Sequence, residues 1–320
     1  MQNLNDALCA GLEHFDAIPI AFNVLTSRVS AKWCSGIVCC SFGLILPLAS
    51  PNLHAHPGVG IVQHSRGAVY FTDLKQVWKI TPDGKMSVAV SNVHTHELCL
   101  DAQDNLYGEH LSVEGDKWTN RVWRMKPDGT LTNIIPSHEG LNLPDYSFVR
   151  DRSGSMYWAD PAQPVIKKRS PNGDVTNFAT ADFRIVQRMT ASPDGTLFLM
   201  DCANLRRVST NGQVTTLRTN LSALNPPPAN VAERNYHMGI WTDRSGDVYV
   251  AVAMEHLVLR VQSDGQTRVA ARSPDGWSPS GGMFDRQNNL WLLEYDSRNA
   301  VRVRQIRMNQ DDQIFVVPQD

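Results

Sequence analysis

The feature that most constrains this chain is a hairpin phrase that keeps returning. Its clearest copy is Val77-Trp78-Lys79-Ile80-Thr81-Pro82-Asp83-Gly84, inside the stretch Gly67 to Val90. An alternating strand runs into Pro-Asp-Gly, where proline presets φ for the first turn position and glycine supplies the left-handed conformation that closes the turn. The phrase recurs at Val122 to Gly129, Ile166 to Gly173, Leu205 to Gly212 and Leu259 to Gly265. Its closing glycines lie 45, 44, 39 and 53 residues apart.

A second phrase, an aspartate and a turn before an aromatic strand, gives the count. It runs from Asp101 to Tyr107, Asp151 to Tyr157, Ser192 to Phe198, Asp243 to Tyr249 and Asp285 to Trp291, with His64 to Tyr70 as a divergent first copy. Each unit therefore holds an inner strand ending at the aspartate, a second strand opened by the aromatic phrase, a third carrying the Val-Trp-Arg-Met-like run, and a fourth after the glycine turn. In the last unit, Val301 to Arg307 and Ile314 to Val317 fill the third and fourth places. Strand-and-turn periods of about 40 to 50 residues are those of propeller blades. The expected fold is all-β: one six-bladed β-propeller of four-stranded antiparallel blades over residues 56–320, closed into a ring with few exposed edges.

Residues 1–55 read differently. Arg28 and Lys32 precede an apolar run from Ile37 through Leu48, followed by Ala49-Ser50-Pro51. A basic lead, roughly a dozen apolar residues and a small-residue boundary describe an export signal. The run is short for a span of about 20 residues, and Pro47 interrupts it; an uncleaved anchor or a buried segment are the alternatives. Met1 to Thr26 adds nothing that export needs, so the expected start is internal, near Val24 or Val29. The protein is expected to be periplasmic or secreted, meeting a membrane only if the leader stays attached.

The formal charge of −2 offers no field for nucleic acid. Lys167, Lys168 and Arg169 read as solvated charges on an edge strand. Four of the six cysteines precede residue 41; Cys99 and Cys202 fall in different blades and are not expected to bridge. No G-x-S-x-G elbow, P-loop or dinucleotide fingerprint occurs, which leaves serine-hydrolase, NTPase and Rossmann chemistry unsupported. Trp78, Trp123 and Trp158 read as packing between blades. A monomer is expected.

Gly239-Ile240-Trp241-Thr242-Asp243, with Gly246 and Tyr249, resembles the NHL repeat and the related SMP-30/gluconolactonase-like six-bladed propellers. The resemblance covers His56 to Asp320. It implies a site on one face around the central channel, where the loops leading into the inner strands gather with the ends of the second strands; that face is called the inlet face below. The family includes lactonases, lyases and binding scaffolds. Its metal ligands do not carry over, because Val59, Gly60, Tyr146, Gln187 and Met238 stand where they would be sought.

Blade 2 breaks the pattern at the inlet face with Val93-His94-Thr95-His96-Glu97, and its second strand ends in Glu109-His110. In an extended segment His94 and His96 point the same way, so together with His110 they could hold one divalent metal ion. Hydrogen-bonded structural histidines are the other reading. Arg188 stands where other blades carry glycine or serine, and it suits either an ion pair with Glu97 or a carboxylate ligand. Tyr146, His237 and Glu294 complete the expected ligand-binding set. Leu111 to Asn120 reads as an inserted loop and Asn220 to Arg234 as a lid on the same face. Two functions follow. One is binding of a small polar or anionic ligand, or of a partner protein. The other is metal-assisted hydrolysis or elimination on a lactone or ester, with Glu97 or Glu109 as general base and Arg188 at the oxyanion.

Overall fold

A computed structural model describes residues 57–319 apart from 142, 144, 227, 228, 230–235 and 309. The chain divides into two units, Met1–Ala55 and His56–Asp320. The description concerns the second; the apolar run 37–48 lies outside the described residues. Among them, no helix is long and apolar enough to cross a membrane.

Six antiparallel meanders follow one another, each with its strands hydrogen-bonded in chain order. Blade 1 holds β1 Ile61–Gln63, β2 Val69–Thr72, β3 Val77–Ile80 and β4 Met86–Val90. Blade 2 holds β5 Leu98–Leu100, β6 Leu106–Glu114, β7 Lys117–Met125 and β8 Leu131–Glu139. Blade 3 holds β9 Met156–Ala159, β10 Val165–Arg169 and β11 Val175–Thr180. Blade 4 holds β12 Val186–Ala191, β13 Leu197–Asp201, β14 Asn204–Val208 and β15 Val214–Arg218. Blade 5 holds β16 His237–Thr242, β17 Val248–Val252, β18 Leu257–Val261 and β19 Thr267–Arg272. Blade 6 holds β20 Trp277–Phe284, β21 Leu290–Asp296, β22 Val301–Ile306 and β23 Gln313–Val316.

The expected strands are all present, with one reduced. The inner strand of blade 3 shrinks to the bridge Arg150↔Met156 and a bond from the Tyr157 amide to the Val149 carbonyl at 3.1 Å. The physical cause is local: the Ser147 hydroxyl accepts the Val149 amide at 3.0 Å, a side-chain turn that competes with the ladder.

The repeated aspartate does more than make a turn. Asp101, Asp151 and Asp243 each accept the hydroxyl of the tyrosine six residues on, at 2.8, 2.8 and 3.1 Å. Asp285 accepts the Trp291 indole N–H at 2.9 Å. The second oxygen takes turn amides, as Asp101 does from Gln103 and Asn105. Each carboxylate thus ties the end of the inner strand to the start of the second. Where blade 4 has Ser192 instead, its aromatic is Phe198, which has no donor to offer. Burial alone would raise the pKa of Asp285, but hydrogen bonds from Trp291, Asn289 and Gln305 hold it below the usual carboxylate range.

Second strands are buried along their whole length in blades 1, 4 and 5. Neighbouring blades cover both of their faces, which is why they read as continuous apolar runs rather than alternating ones. The ring closes through side chains: Ile61, Val69 and Phe71 of blade 1 pack with Trp291, Leu293, Val303 and Phe315 of blade 6. No strand crosses from one blade's sheet to another among the described residues. Polar links reinforce the seam, with the Arg286 amide donating to Gln63 Oε1 at 3.0 Å and the Arg286 guanidinium donating to the Ser65 carbonyl.

Around the channel the ring is lopsided. A Cβ on Gly239 would lie 2.7 Å from the Ser280 carbonyl, and one on Gly281 2.2 Å from that of Val59. Glycine at these inner-strand positions lets blades 5, 6 and 1 approach backbone to backbone. Blades 2 and 4 carry Glu97 and Arg188 there and blade 3 Ser147, and Glu97, Arg188 and the next residue of blade 3, Phe148, line the channel.

Candidate functional site

That asymmetry concentrates polar side chains on one side of the inlet face. A cleft of about 880 Å³ opens there, with His94, His96, Glu97, Glu109, Tyr146 and Arg188 among its lining residues. Its polar floor is built by blade 2. The Thr72 hydroxyl donates to the Thr95 carbonyl at 2.6 Å, and the Thr95 hydroxyl donates to the Glu109 carbonyl at 2.6 Å. The buried Trp123 indole adds a bond to the same Glu109 carbonyl at 3.0 Å. These bonds pin the segment from His94 to Glu97 against the end of β6.

Pinned in this way, the segment turns its amides onto a carboxylate. Glu109 Oε1 accepts the amides of His96 and Glu97, the latter at 3.3 Å. His96 Nδ1 lies 3.1 Å from the same oxygen, so its Nδ1–H tautomer donates there. Glu109 Oε2 is buried without a hydrogen-bond partner. Burial pushes the Glu109 pKa up to about 7, opposed by the two amides and then by His94. Burial also raises Glu97, with the Arg188 charge pulling it back and Glu109 adding to the rise. His94 is lowered by burial and by its neighbour His96. The two imidazole rings meet edge to face at 4.7 Å, in keeping with side chains from an extended segment pointing the same way.

His110 has a different place from the one expected. Its Nδ1 accepts the His94 amide at 2.9 Å, and it does not line the cleft. Burial, then the Arg121 charge, lowers its pKa. Among the described residues no group of three or more His, Cys, Asp or Glu is placed to hold a metal ion. His110 is the residue that departs: its Nδ1 is taken by the His94 amide and it stands outside the cleft that His94 and His96 line. The three histidines therefore do not converge as the expected metal set.

Arg188 bridges to the neighbouring blade 5, its Nε donating to the Met238 carbonyl at 2.9 Å, and its Nη1 donates to the Gln187 carbonyl at 3.1 Å. Tyr146 packs edge to face on Phe148 at 5.4 Å, and its hydroxyl accepts Arg150 Nη2 at 2.8 Å. Burial raises the Tyr146 pKa, so the phenol stays neutral.

Two expected ligand residues are not brought to this cleft. His237 is fully buried with Nε2 2.6 Å from the Leu221 carbonyl, and burial pushes its pKa down to about 4. Glu294 is also fully buried, held by Arg302 at 2.7 Å and Arg304 at 3.0 Å. Both lie at the blade ends where the repeat alignment puts them, but packing has sealed them.

Other expectations shift in ways that build the cleft wall. Leu111 to Asn120 is no loop; it forms the paired ends of β6 and β7, which run on to Glu114↔Lys117. This extension brings Trp118 and Asn120 to the cleft. Trp158 lines it as well, whereas Trp123 packs as expected. Lys167 is not on an edge, since β10 has β9 and β11 on either side; it pairs with Asp160 at 3.2 Å on the cleft rim. Of the expected lid, residues 227, 228 and 230–234 lie outside the described residues, and its described part does not line the cleft. Cys99 and Cys202 are both buried, and no disulfide joins them. Trp118 thus lies on the expected face, on a strand and not a loop, whereas Trp158 lines the cleft and not only an inter-blade seam.

No family model matches the sequence, and no curated protein does. Solved structures do match. A streptogramin B lyase superposes with a TM-score of 0.53 at 13% identity, covering 83% of this chain and 84% of its own. The likeness is one of fold. A gluconolactonase from Xanthomonas campestris gives 0.51 at 17% identity, with 75% of this chain and 83% of that one covered. An auxiliary nutrient-binding protein from Bacteroides thetaiotaomicron gives 0.51 at 9% identity, covering 76% and 67%. The chain thus shares the six-bladed propeller fold with lyases, lactonases and nutrient-binding proteins, a fold on which function is set by the site.

Proposed function

We propose that this is an exported propeller whose inlet-face cleft binds a small ligand. The observation that carries the reading is the cleft itself: a polar floor of buried, hydrogen-bonded groups under aromatic walls, in a space large enough for a small molecule. The leader from Arg28 to Pro51 supports export. A concave cleft favours a small ligand over a partner protein. Calorimetric scanning against a panel of aldonolactones, aldonates, aromatic acids and aromatic amines tests this. A ligand at a hundred times its Kd stabilises by about 2.7 kcal/mol, which should raise Tm by about 5 °C or more for a chain of this size. Trp118→Ala should shrink that shift while leaving the unliganded Tm in place, because the side chain is half exposed. A wild-type Tm that no panel member moves would refute the reading.

A second reading, turnover of a lactone or ester, is favoured by Glu109. A carboxyl with a pKa of about 7, hydrogen-bonded to an imidazole, can exchange a proton near neutral pH. Turnover of members of a lactone and ester panel, lost in Glu109→Gln, would support it. Elemental analysis decides the metal question: a stoichiometric divalent ion that disappears in His96→Ala would reinstate a metal-assisted reaction. A metal-free protein without turnover leaves ligand binding alone.

A further inference from the structure

The charges lining the cleft narrow its ligand further. Four carboxyls, Glu97, Glu109, Asp145 and Asp160, face two permanent cations, Lys167 and Arg188. Lys167 is matched by Asp160 at 3.2 Å. Arg188 bonds the Met238 and Gln187 carbonyls, and its charge acts on Glu97. Among the described residues neither Glu109 nor Asp145 has a lysine or arginine ion-pair partner. Glu109 is 6% exposed, and its Oε2 has no hydrogen-bond donor. An anionic ligand would add a charge of the sign already in surplus. The cleft is also lined by the rings of Phe148, Trp118 and Trp158, whose π faces attract cations, while that of Tyr146 already holds the Arg150 guanidinium at 5.4 Å.

We propose that the cleft takes an organic cation, a protonated amine on an apolar or aromatic body, with its ammonium toward the Glu97–Glu109 floor and its body against Trp158 and Trp118. This rests on the reading of the cleft as a ligand site and names the ligand's chemistry. Arg188 then serves as the counter-charge of Glu97 and not as a fork for a carboxylate. The groups that face Glu109 are His94, His96 and Glu97 from the segment leading into β5, with Arg188 acting through Glu97. His110 and Arg121 pair across β6 and β7 beside it. Because an ammonium favours the ionised carboxylate, binding should expel a proton from Glu109.

Titration calorimetry with three probes that share a phenyl body and differ in charge tests the proposal: 2-phenylethylamine, 2-phenylethanol and 3-phenylpropionate. The amine should bind tightest at pH 8. With one coupled carboxyl of pKa about 7, its affinity should fall about ten-fold between pH 8 and pH 6, and proton release should show in buffers of different ionisation heat. Proton release is read on the wild-type chain and needs no variant. Glu109→Gln should bind the amine more weakly and lose the pH dependence. Tighter binding of the propionate, or amine binding that is flat with pH, would overturn the cation while leaving the cleft a ligand site. If none of the three binds, the organic cation fails, and the small-ligand reading then stands or falls with the wider panel.

Discussion

Replacing Glu109 by glutamine is expected to raise the unfolding free energy by about 3 kcal/mol at pH 8 and by only about 1 kcal/mol at pH 5. Glu109 is 6% exposed, and burial sets its pKa at about 7 in the folded chain, against roughly 4.3 when unfolded. The folded state therefore binds more protons than the unfolded state between these values, and stability must fall as pH rises through that window, levelling above 7. A shift of between two and three pKa units corresponds to about 3 kcal/mol. Glutamine keeps an oxygen for the His96 and Glu97 amides but carries no charge to desolvate. Urea unfolding of both proteins at pH 5 and pH 8 measures the difference. A variant less stable than wild type at pH 8 would show that the ionised carboxylate is a net stabiliser there. The carboxyl and a ligand ammonium would then be linked in a simple way: the unliganded protein bears the cost of an ionised Glu109, and a bound cation relieves it.

The fold was legible because the features that specify it are local. Pro82-Asp83-Gly84 and its copies state where hairpins close, and Asp101 with Tyr107 states both a turn and the clasp across it. Turn residues act within a few positions, so their spacing survives as a period in the chain. The site was legible only in part, for the same reason. His94, His96, Glu97 and Glu109 were found because they break a repeat, and a break can be seen in one dimension. Whether a side chain at a strand end opens to a cleft or is sealed depends on what a neighbouring segment lays over it. His237 and Glu294 occupy positions equivalent to those of open residues, yet Leu221 covers one and two arginines the other. Trp158 shows the reverse case. It has the composition of a packing residue, and only the extended β6–β7 hairpin, with Trp118 on it, turns its surroundings into a wall.

Glu294→Ala should cost about 3–5 kcal/mol of stability, the loss expected when one partner of a buried ion cluster is removed and the others stay. Glu294 Oε2 accepts Arg302 Nε at 2.7 Å; Oε1 accepts Arg304 Nη2 at 3.0 Å and the Ser273 hydroxyl at 2.7 Å. Both guanidiniums are buried, Arg302 at 7% exposure and Arg304 at 6%. Arg302 lies 4.0 Å from the ring of Trp277. Arg304 has a second carboxylate in Asp312 at 2.9 Å. The alanine variant thus strands Arg302 above all, and adding Arg302→Met should recover part of the loss, whereas Arg304→Met should recover less. Glu294→Gln, which keeps an acceptor and the shape, should fall between wild type and alanine and serves if the alanine chain does not fold. Amine binding in the cleft should change less than two-fold in the glutamine variant, because Glu294 is not among the cleft's lining residues. A loss below 1 kcal/mol in the alanine chain, or a many-fold loss of ligand affinity in the glutamine chain, would return Glu294 to the ligand-binding set from which its burial removes it.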